Sequence, residues 1–319
     1  MSGTGIAVSL KEVHCMSEGK IAFVFSGQGA QCPGMGKALC ETSKAAAAVF
    51  ALADRIRPGT SQQCFHGTKE ELNLTINTQP CLFSVDLAAA RAVEELGIRA
   101  DLTAGFSLGE IAALAFSGAL EDESAFRLVC KRAEFMQEAA ERNPGAMGAA
   151  LGIDAEKLSK VLARFENAQA VNFNCPGQIV FAAKESDIDE IAAAVQENGG
   201  KFRRLAVSGA FHSRFMEDAS RKMLEYLKNV SVRPASVPVY ANRTAEPYGE
   251  TEQEMKSLIA EQICSAVQWQ STIERMIRDG ASVFIETGEG KVLSGLIRKI
   301  NKSVKVLHYS EVLANGGSL

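Results

Sequence analysis

Strand-like and helix-like segments alternate along most of this 319-residue sequence. Short apolar runs, such as residues 21–25 and 102–104, are each followed by a turn and then by a stretch of helical length. This alternation is typical of layered α/β folds, in which helices cover the faces of a largely parallel sheet. We therefore expect an α/β fold.

The predicted elements follow apolar periodicity and the glycine and proline breaks. Up to residue 143 we expect strands at 21–25 and 102–104 and helices at 37–57, 78–96, 110–116 and 123–142. From residue 208 onward we expect helices at 213–228, 252–264, 269–278 and 291–300 and strands at 237–241 and 282–286.

Residues 144–207 have a different pattern. Their predicted elements are strand, helix, strand, strand, helix and strand, at 146–153, 155–167, 170–174, 178–183, 186–197 and 201–207. That order is the split βαβ, or ferredoxin-like, unit. We therefore predict an N-terminal extension at 1–20, a core domain made of 21–143 and 208–319, and a ferredoxin-like subdomain inserted at 144–207.

Composition argues against several classes of function. A net charge of −4 gives no electrostatic reason to expect nucleic acid or an anionic membrane as a partner. Eight cysteines without a C-x-x-C pair fit a reduced cytoplasmic protein, and no Cys/His cluster suggests zinc. The longest apolar run, residues 45–53, is too short to span a bilayer, and residues 1–20 lack the apolar centre of a signal peptide. We expect a cytoplasmic protein without a metal or another cofactor.

The segment Gly105-Phe106-Ser107-Leu108-Gly109 fits G-x-S-x-G and lies between a predicted strand and a predicted helix. In a strand–serine–helix elbow the serine hydroxyl stands clear of the sheet, and the next amide points to where an oxyanion forms. The flanking glycines relieve the steric cost of the turn. We interpret Ser107 as a candidate nucleophile for acyl chemistry.

A serine nucleophile needs a base, and the chain has four histidines. His14 lies in the predicted extension, His66 in a predicted polar loop and His308 near the C-terminus. His212 lies between a predicted strand and a predicted helix, a junction that points side chains into clefts of α/β folds. A histidine that only packs or caps there is the alternative. We predict His212 as the base, and no acidic residue stands out as a third member.

Two further features allow both a functional and a purely structural interpretation. The glycine-rich loop around Gln28 has Cys32 where a dinucleotide loop has its third glycine, so it is either a simple turn or the source of an oxyanion-binding amide. Arg132 lies on a predicted helix. It is either a surface arginine or one turned toward the cleft, where it would bind a carboxylate through two hydrogen bonds.

With these residues assembled, the chain resembles the malonyl-CoA:acyl-carrier-protein transacylases of fatty-acid synthesis and the acyltransferase domains of polyketide synthases. The resemblance runs from residue 21 to about residue 307 and follows the family's order of motifs. The matching segments are Phe25-Ser-Gly-Gln-Gly-Ala-Gln31, Gly105-Phe-Ser-Leu-Gly-Glu110, Lys131-Arg132 with Phe135-Met-Gln137, Asn172-Phe-Asn-Cys-Pro-Gly-Gln178, Ala210-Phe-His-Ser213, Val267-Gln-Trp269 and Gly288-Glu-Gly-Lys-Val-Leu293. It implies an α/β-hydrolase-like core with a parallel sheet and an inserted ferredoxin-like subdomain.

The resemblance also implies a role for each matching residue. Ser107 would carry the acyl group and His212 would be its base. Arg132 would pair with the malonyl carboxylate. The backbone amides of Gln28 and Leu108 would form the oxyanion hole.

Three further residues take roles by resemblance alone. The main-chain carbonyl of Gln268 would orient His212 in place of the missing acid, and Asn174 and Gln178 would line the cleft. The implied reaction moves malonyl from malonyl-CoA to the phosphopantetheine thiol of acyl carrier protein by a ping-pong mechanism. A trans-acting acyltransferase of polyketide synthesis, a serine acyl-hydrolase and a non-catalytic carrier-docking module are the alternatives. We expect a monomer.

The chain departs from the family pattern at three positions. Phe106 replaces the histidine before the serine, Ser26 replaces a proline, and Glu289 stands where the family often has proline. None of these changes removes a reacting atom. Phe106 would reshape the pocket rim, whereas Phe211 matches the malonyl-type pattern.

Overall fold

The computed structural model describes residues 19–207 and 209–319, so His14 and nearly all of the predicted extension lie outside the described residues. The strands are β1 (Lys20–Phe25), β2 (Leu102–Gly105), β3 (Gly145–Leu151), β4 (Gln169–Cys175), β5 (Gln178–Lys184), β6 (Lys201–Arg204), β7 (Val239–Tyr240), β8 (Ala281–Thr287) and β9 (Lys305–His308). The helices are α1 (Lys37–Thr42), α2 (Lys44–Ile56), α3 (Thr60–His66), α4 (Lys69–Leu72), α5 (Thr75–Glu95), α6 (Leu108–Phe116), α7 (Asp122–Arg142), α8 (Ala155–Leu162), α9 (Ile188–Glu197), α10 (Glu217–Leu227), α11 (Glu252–Glu261), α12 (Trp269–Arg278), α13 (Val292–Ile300) and α14 (Tyr309–Ala314). Short 3₁₀ turns occupy Glu185–Asp187, Arg214–Met216 and Gln262–Cys264.

A parallel sheet forms the centre of the molecule, with strand order β7-β2-β1-β8-β9. β1 is central, and its residues from Ile21 to Phe25 are all buried, as expected for a strand covered on both faces. Phe25 pairs with Gly105, so β1 and β2 end side by side. The loops after these two strands therefore meet at one edge of the sheet.

A separate antiparallel sheet has the order β4-β5-β3-β6, which is the strand order of a ferredoxin-like unit. It joins the segment before α12 through the Val267 amide, which donates to Val171 O at 2.8 Å, and through the Phe173 amide, which donates to Val267 O at 2.9 Å. These bonds hold β4 next to the end of the parallel sheet. The two sheets together confirm the predicted fold class.

The helices after β1 and β2 pack closely on the parallel sheet. α5 is buried on nearly all sides, and polar residues such as Gln79 and Asp86 are buried along with its apolar ones. Phe116 at the end of α6 packs against Phe23 and Phe25, with ring centroids 5.3 and 5.6 Å apart. This packing fixes the direction in which the chain leaves the predicted elbow.

The structure differs from the predicted elements mainly in short segments. The helix predicted at 37–57 is broken at Ser43, whose hydroxyl accepts from the Ala46 amide and caps α2. Helices α3, α4 and α14 and strand β9 were not predicted, because their stretches are too short to show a period. His66 consequently lies in the last turn of α3, so its placement in a loop was wrong.

Two observations bear on membranes and metals. Among the described residues, each helix is either too short or too polar to cross a bilayer. In the same part of the chain, no three His, Cys, Asp or Glu side chains come together in a way that would hold a metal ion.

Candidate active site

Ser107 occupies a strained turn between β2 and α6. Its φ and ψ of 54° and −104° lie outside the regions that non-glycine residues prefer, a cost of about 1–3 kcal/mol. A Cβ at Gly105 would collide with Gly109, and one at Gly109 would collide with the carbonyl of Phe25. The two glycines therefore let α6 approach β1 and β2 closely, and neither has a positive φ. The geometry is that of a nucleophile elbow.

His212 lies directly beside this serine, although the two are 105 residues apart. Its Nε2 is 2.7 Å from Ser107 Oγ, and its Nδ1 is 3.0 Å from the main-chain carbonyl of Gln262. Because a carbonyl only accepts, Nδ1 carries the hydrogen in the neutral ring. Nε2 is thus free to accept the hydroxyl proton of Ser107.

The prediction that the main-chain carbonyl of Gln268 orients His212 was wrong. The carbonyl of Gln268 accepts from the amide and the hydroxyl of Thr272, at 2.8 and 2.9 Å, in the first turn of α12. The carbonyl of Gln262, in the 3₁₀ turn after α11, takes the expected role.

Burial keeps His212 neutral. Its side chain is almost fully enclosed, and burial together with the nearby positive charge of Arg132 lowers the pKa of the imidazole to about 4. The imidazole is therefore a base that stays unprotonated far below neutral pH.

Arg132 is buried in α7 with its guanidinium against the same serine, so the surface interpretation was wrong. Its Nη2 donates to Ser107 Oγ at 3.2 Å and to Gln262 Oε1 at 2.8 Å, and its Nη1 donates to Gln79 Oε1 at 2.7 Å. Burial lowers the pKa of Arg132 to about 10, and the nearby Glu110 opposes that shift. Its Nε has no hydrogen-bond partner among the described residues.

Gln262 contacts all three of these residues, and sequence reasoning missed it. Its Oε1 accepts from Arg132, its Nε2 donates to Ser107 O at 2.6 Å, and its main-chain carbonyl accepts from His212. The side chain is fully buried. The sequence carries one signal for it, the polar pair Glu261-Gln262 between apolar residues near the end of a predicted helix.

Asn242 and Glu110 form a second layer behind the serine. Asn242 Oδ1 accepts from the Ser107 amide at 2.7 Å, and its Nδ2 donates to Gly105 O at 2.6 Å. The Asn242 amide donates to the Glu110 carboxyl at 2.6 Å. Burial raises the pKa of Glu110 to about 7. Asn242 follows a predicted strand, and that position was the available signal.

The loop after β1 lies against the elbow. A Cβ at Gly27 would be 2.6 Å from Phe106 O, so the backbone of Gly27 lies against Phe106, the residue before the serine. Gln28 is the next residue in this loop. Within the described part of the chain, the amides of Gln28 and Leu108 donate to no other residue. Two free amide donors, one in this loop and one following the serine, match the composition predicted for an oxyanion hole.

A cavity of about 640 Å³ opens between this edge of the parallel sheet and the antiparallel sheet. Its lining includes Gln28, Phe106, Asn172, Asn174 and Gln178. Asn172 Oδ1 and Asn174 Oδ1 are buried and have no hydrogen-bond partner in the described residues. The predicted cleft residues Asn174 and Gln178 are thus both on the cavity wall, in a volume typical of small-molecule sites.

Each of the three residues that depart from the family pattern contacts another residue in the structure. The Phe106 ring packs edge-to-face on Trp269, with centroids 5.4 Å apart. Glu289 Oε1 accepts from the Gly36 amide at 3.2 Å, and Ser26 donates to Asp86. Phe106 supplies an apolar patch at the rim of the cavity.

A serine hydroxyl, a neutral imidazole, a buried guanidinium and two free amides thus lie at one edge of a parallel sheet. Such a combination is typical of α/β enzymes that pass an acyl group through a serine. The chain belongs to the acyl transferase domain family, which matches residues 22–313.

The similar proteins match this chain over nearly its whole length. A Bacillus subtilis protein named malonyl CoA-acyl carrier protein transacylase is 42% identical over 92% of this chain and 94% of its own. The crystal structure of the Clostridium perfringens protein of that name has a TM-score of 0.88 and 32% identity, over 93% of this chain and 96% of that one. A malonyl-transacylase solved with its type II polyketide acyl-carrier protein has a TM-score of 0.86 and 30% identity, over 91% and 94% of the two chains.

Proposed function

We propose that the chain transfers the malonyl group of malonyl-CoA to the phosphopantetheine thiol of acyl carrier protein, through a malonyl ester on Ser107. One observation carries the proposal: Ser107 Oγ is 2.7 Å from His212 Nε2 and 3.2 Å from Nη2 of the buried Arg132. The proposed base and the proposed carboxylate-binding group thus both contact the hydroxyl of the proposed nucleophile. The names of the similar proteins support the same reaction.

In the first half-reaction Ser107 Oγ attacks the thioester carbonyl while its proton passes to His212 Nε2. The negative charge that develops on the carbonyl oxygen is accepted by the amides of Gln28 and Leu108. The C–S bond breaks, and the coenzyme A sulfur leaves with the proton from His212. In the second half-reaction the carrier thiol gives its proton to His212 and attacks the malonyl ester, and Ser107 leaves as the hydroxyl.

Arg132 selects the acyl group. Its Nη2 already touches the serine oxygen, and its unpartnered Nε is a donor for a carboxylate. Each charge-assisted hydrogen bond contributes about 1.5–3 kcal/mol, which is roughly a tenfold to a hundredfold preference for malonyl over an uncharged acyl group. An ordinary serine esterase needs no such arginine, so Arg132 favours the transferase over the acyl-hydrolase.

The carrier belongs to fatty-acid or to polyketide synthesis. The name of the Bacillus subtilis relative fits either pathway, and the malonyl-transacylase solved with a polyketide carrier supports the second. A carrier-docking module without catalytic activity would not require the hydrogen bond between Ser107 and His212, so this bond argues against that alternative.

We also propose the domain division given by the sequence: a core of residues 21–143 and 208–319 and an inserted subdomain of residues 144–207. The strands of the parallel sheet, within 20–105 and 239–308, and those of the antiparallel sheet, within 145–204, support it. A cytoplasmic location and a monomeric state complete the proposal, and the mass in solution by light scattering tests the latter.

The experiment follows labelled malonyl-CoA with and without phosphopantetheinylated carrier proteins of both pathways, with the label assigned by mass spectrometry. Label on a carrier is the expected result, and the better carrier identifies the pathway. Rapid release of free malonate with no label on either carrier would overturn the proposal in favour of a hydrolase. Ser107→Ala should lower transfer by about 10⁴-fold or more. Ser117→Ala, which removes a buried hydroxyl at the end of α6, is the matched control.

A further inference from the structure

Two of the positions where the chain departs from the family pattern touch the same loop. Ser26 begins this loop after β1, and its Oγ donates to Asp86 Oδ1 at 2.7 Å. Phe106 contacts the next residue, Gly27, since a Cβ there would be 2.6 Å from Phe106 O and 3.0 Å from its ring. The third residue of the loop is Gln28, whose amide is a proposed oxyanion donor.

Asp86 is an unfavourable residue for its position unless it serves a purpose. It lies in the middle of α5 between Val85 and Leu87, and all three side chains are completely buried. Its Oδ2 has no partner among the described residues. Burial, and next the carboxylates of Glu286 and Glu289, raise its pKa well above the usual range despite the Ser26 hydrogen bond. An apolar side chain would fill this place without that penalty.

The Ser26–Asp86 bond is the side-chain restraint at the start of the loop, and further along the Gly29 amide donates to Gln31 Oε1 at 2.7 Å. A Cβ at Gly288 would collide with Asp86 Oδ1, so the glycine after β8 leaves the space in which the carboxyl meets Ser26. The Ser26 amide donates to Thr287 O at a longer 3.3 Å. Ser26 lies in the cavity lining but is buried, so water competes little for its hydroxyl.

We propose that Asp86 is a positioning residue for acyl transfer: through its hydrogen bond to Ser26 it fixes the loop so that the Gln28 amide meets the developing oxyanion. In the family pattern a proline stands at this position, and its ring restricts φ without any side-chain partner. This chain restricts the same loop by a hydrogen bond from a buried helix. The inference rests on the proposed function, because it assigns a purpose to the Gln28 amide within that reaction.

The test measures the rate of Ser107 acylation by malonyl-CoA, with kcat and KM determined separately, for Ser26→Ala, Asp86→Ala and the double variant. Complete loss of an oxyanion donor lowers kcat by about 10²–10³, so a displaced donor should lower it about tenfold with KM within about twofold. The double variant should lose no more than either single one, since both remove the same bond. Ser26→Pro should restore kcat in the Asp86→Ala background.

Ser84→Ala is the matched control. It removes a buried hydroxyl from the same helix α5, where Ser84 Oγ donates to Pro80 O at 2.9 Å, away from the loop. It should lower the melting temperature without changing kcat. Asp86→Asn retains the acceptor for Ser26 and should keep kcat within about threefold. If Asp86→Ala does not fold, the comparison of Asp86→Asn with Ser26→Ala tests the proposed role of the hydrogen bond instead.

A lower melting temperature with unchanged kcat in both Ser26→Ala and Asp86→Ala would overturn the inference and leave the bond with a structural role only. Additive losses in the double variant would also overturn it. Failure of the proposed function is distinguishable, because the unaltered protein would then not be acylated by malonyl-CoA in the same assay.

Discussion

The two sides of the site differ in how their polar groups are satisfied. The core wall is the group Ser107, His212, Arg132, Gln262 and Asn242, which adjoins the cavity at Phe106 without lining it and is joined by hydrogen bonds of 2.6–3.2 Å. The second-sheet wall, formed by Asn172, Asn174 and Gln178, has two buried amide oxygens without partners among the described residues. One wall is fixed by its own contacts, and the other has groups ready for a ligand.

This difference separates chemistry from binding. Proton transfer and oxyanion stabilisation need atoms held in place before the substrate arrives. An extended pantetheine arm with its amide groups needs hydrogen-bond partners that the protein has not used. We therefore expect substitutions in the core wall to change kcat or acyl selectivity, and substitutions in the second-sheet wall to change KM.

The largest effect on the comparison should come from Arg132→Met. Loss of one or two charge-assisted bonds to the carboxylate should lower the preference for malonyl-CoA over acetyl-CoA by about 10²–10³-fold while sparing acetyl transfer. The measurement is kcat/KM for both thioesters. Arg127→Met is the matched control, because Arg127 lies on the same helix but is exposed and pairs with Glu123. Equal losses of kcat/KM for the two substrates would mean that Arg132 does not bind the malonyl carboxylate.

The pH dependence gives the next largest effect. His212 must be neutral to accept the serine proton, and its pKa is lowered from 6.5 to about 4, so kcat/KM should hold down to about pH 4 and then fall. An imidazole of ordinary pKa would already lose about thirtyfold at pH 5. Because Arg132 is the second cause of the shift, Arg132→Met should move the acid limb upward, measured with acetyl-CoA. A limb near 6.5 in the unaltered protein would contradict this account.

Gln262→Ala should lower kcat about tenfold, since Arg132 and the Ser107 carbonyl each lose a buried hydrogen-bond partner. The main-chain carbonyl that orients His212 remains, so the base should keep its acid limb. Gln268→Ala, six residues further along, should stay within about twofold of the unaltered kcat. Similar losses at the two glutamines would refute the assignment of Gln262.

The smallest effect should be on the second-sheet wall. Asn174→Ala should raise KM for malonyl-CoA by about twofold to tenfold with little change in kcat, the value of one neutral hydrogen bond. Asn198→Ala is a control within the same subdomain, since its side chain bonds Ala194 O at the end of α9. A fall in kcat at unchanged KM would show that the two walls do not divide the work as proposed.

Local motifs of the sequence predicted Ser107 and His212, whereas Arg132 and the Gln28 loop were left open and took their roles from the family resemblance. The structure places Ser107 Oγ 2.7 Å from His212 Nε2 and 3.2 Å from Arg132 Nη2. The loops that hold Gln28 and Leu108 meet because adjacent parallel strands end together.

The supporting residues could not be predicted, because their contacts depend on long-range packing. Asn242 is 135 residues from the serine whose amide it binds. Gln262 and Gln268 are both glutamines near a predicted helix end, and only the 3₁₀ turn after α11 decides which carbonyl faces His212. The fold class followed from alternation, whereas short segments such as α4 and β9 have too few residues to show a period.

The central claim is that Ser107 carries the malonyl group between two thiols. Intact-protein mass spectrometry after mixing with malonyl-CoA, without a carrier, tests it most directly. We predict a gain of one malonyl group, mapped to Ser107 by peptide analysis and removed when carrier protein is added. Malonyl transfer that proceeds at the normal rate in Ser107→Ala, or an adduct on another residue that the carrier discharges, would contradict the account.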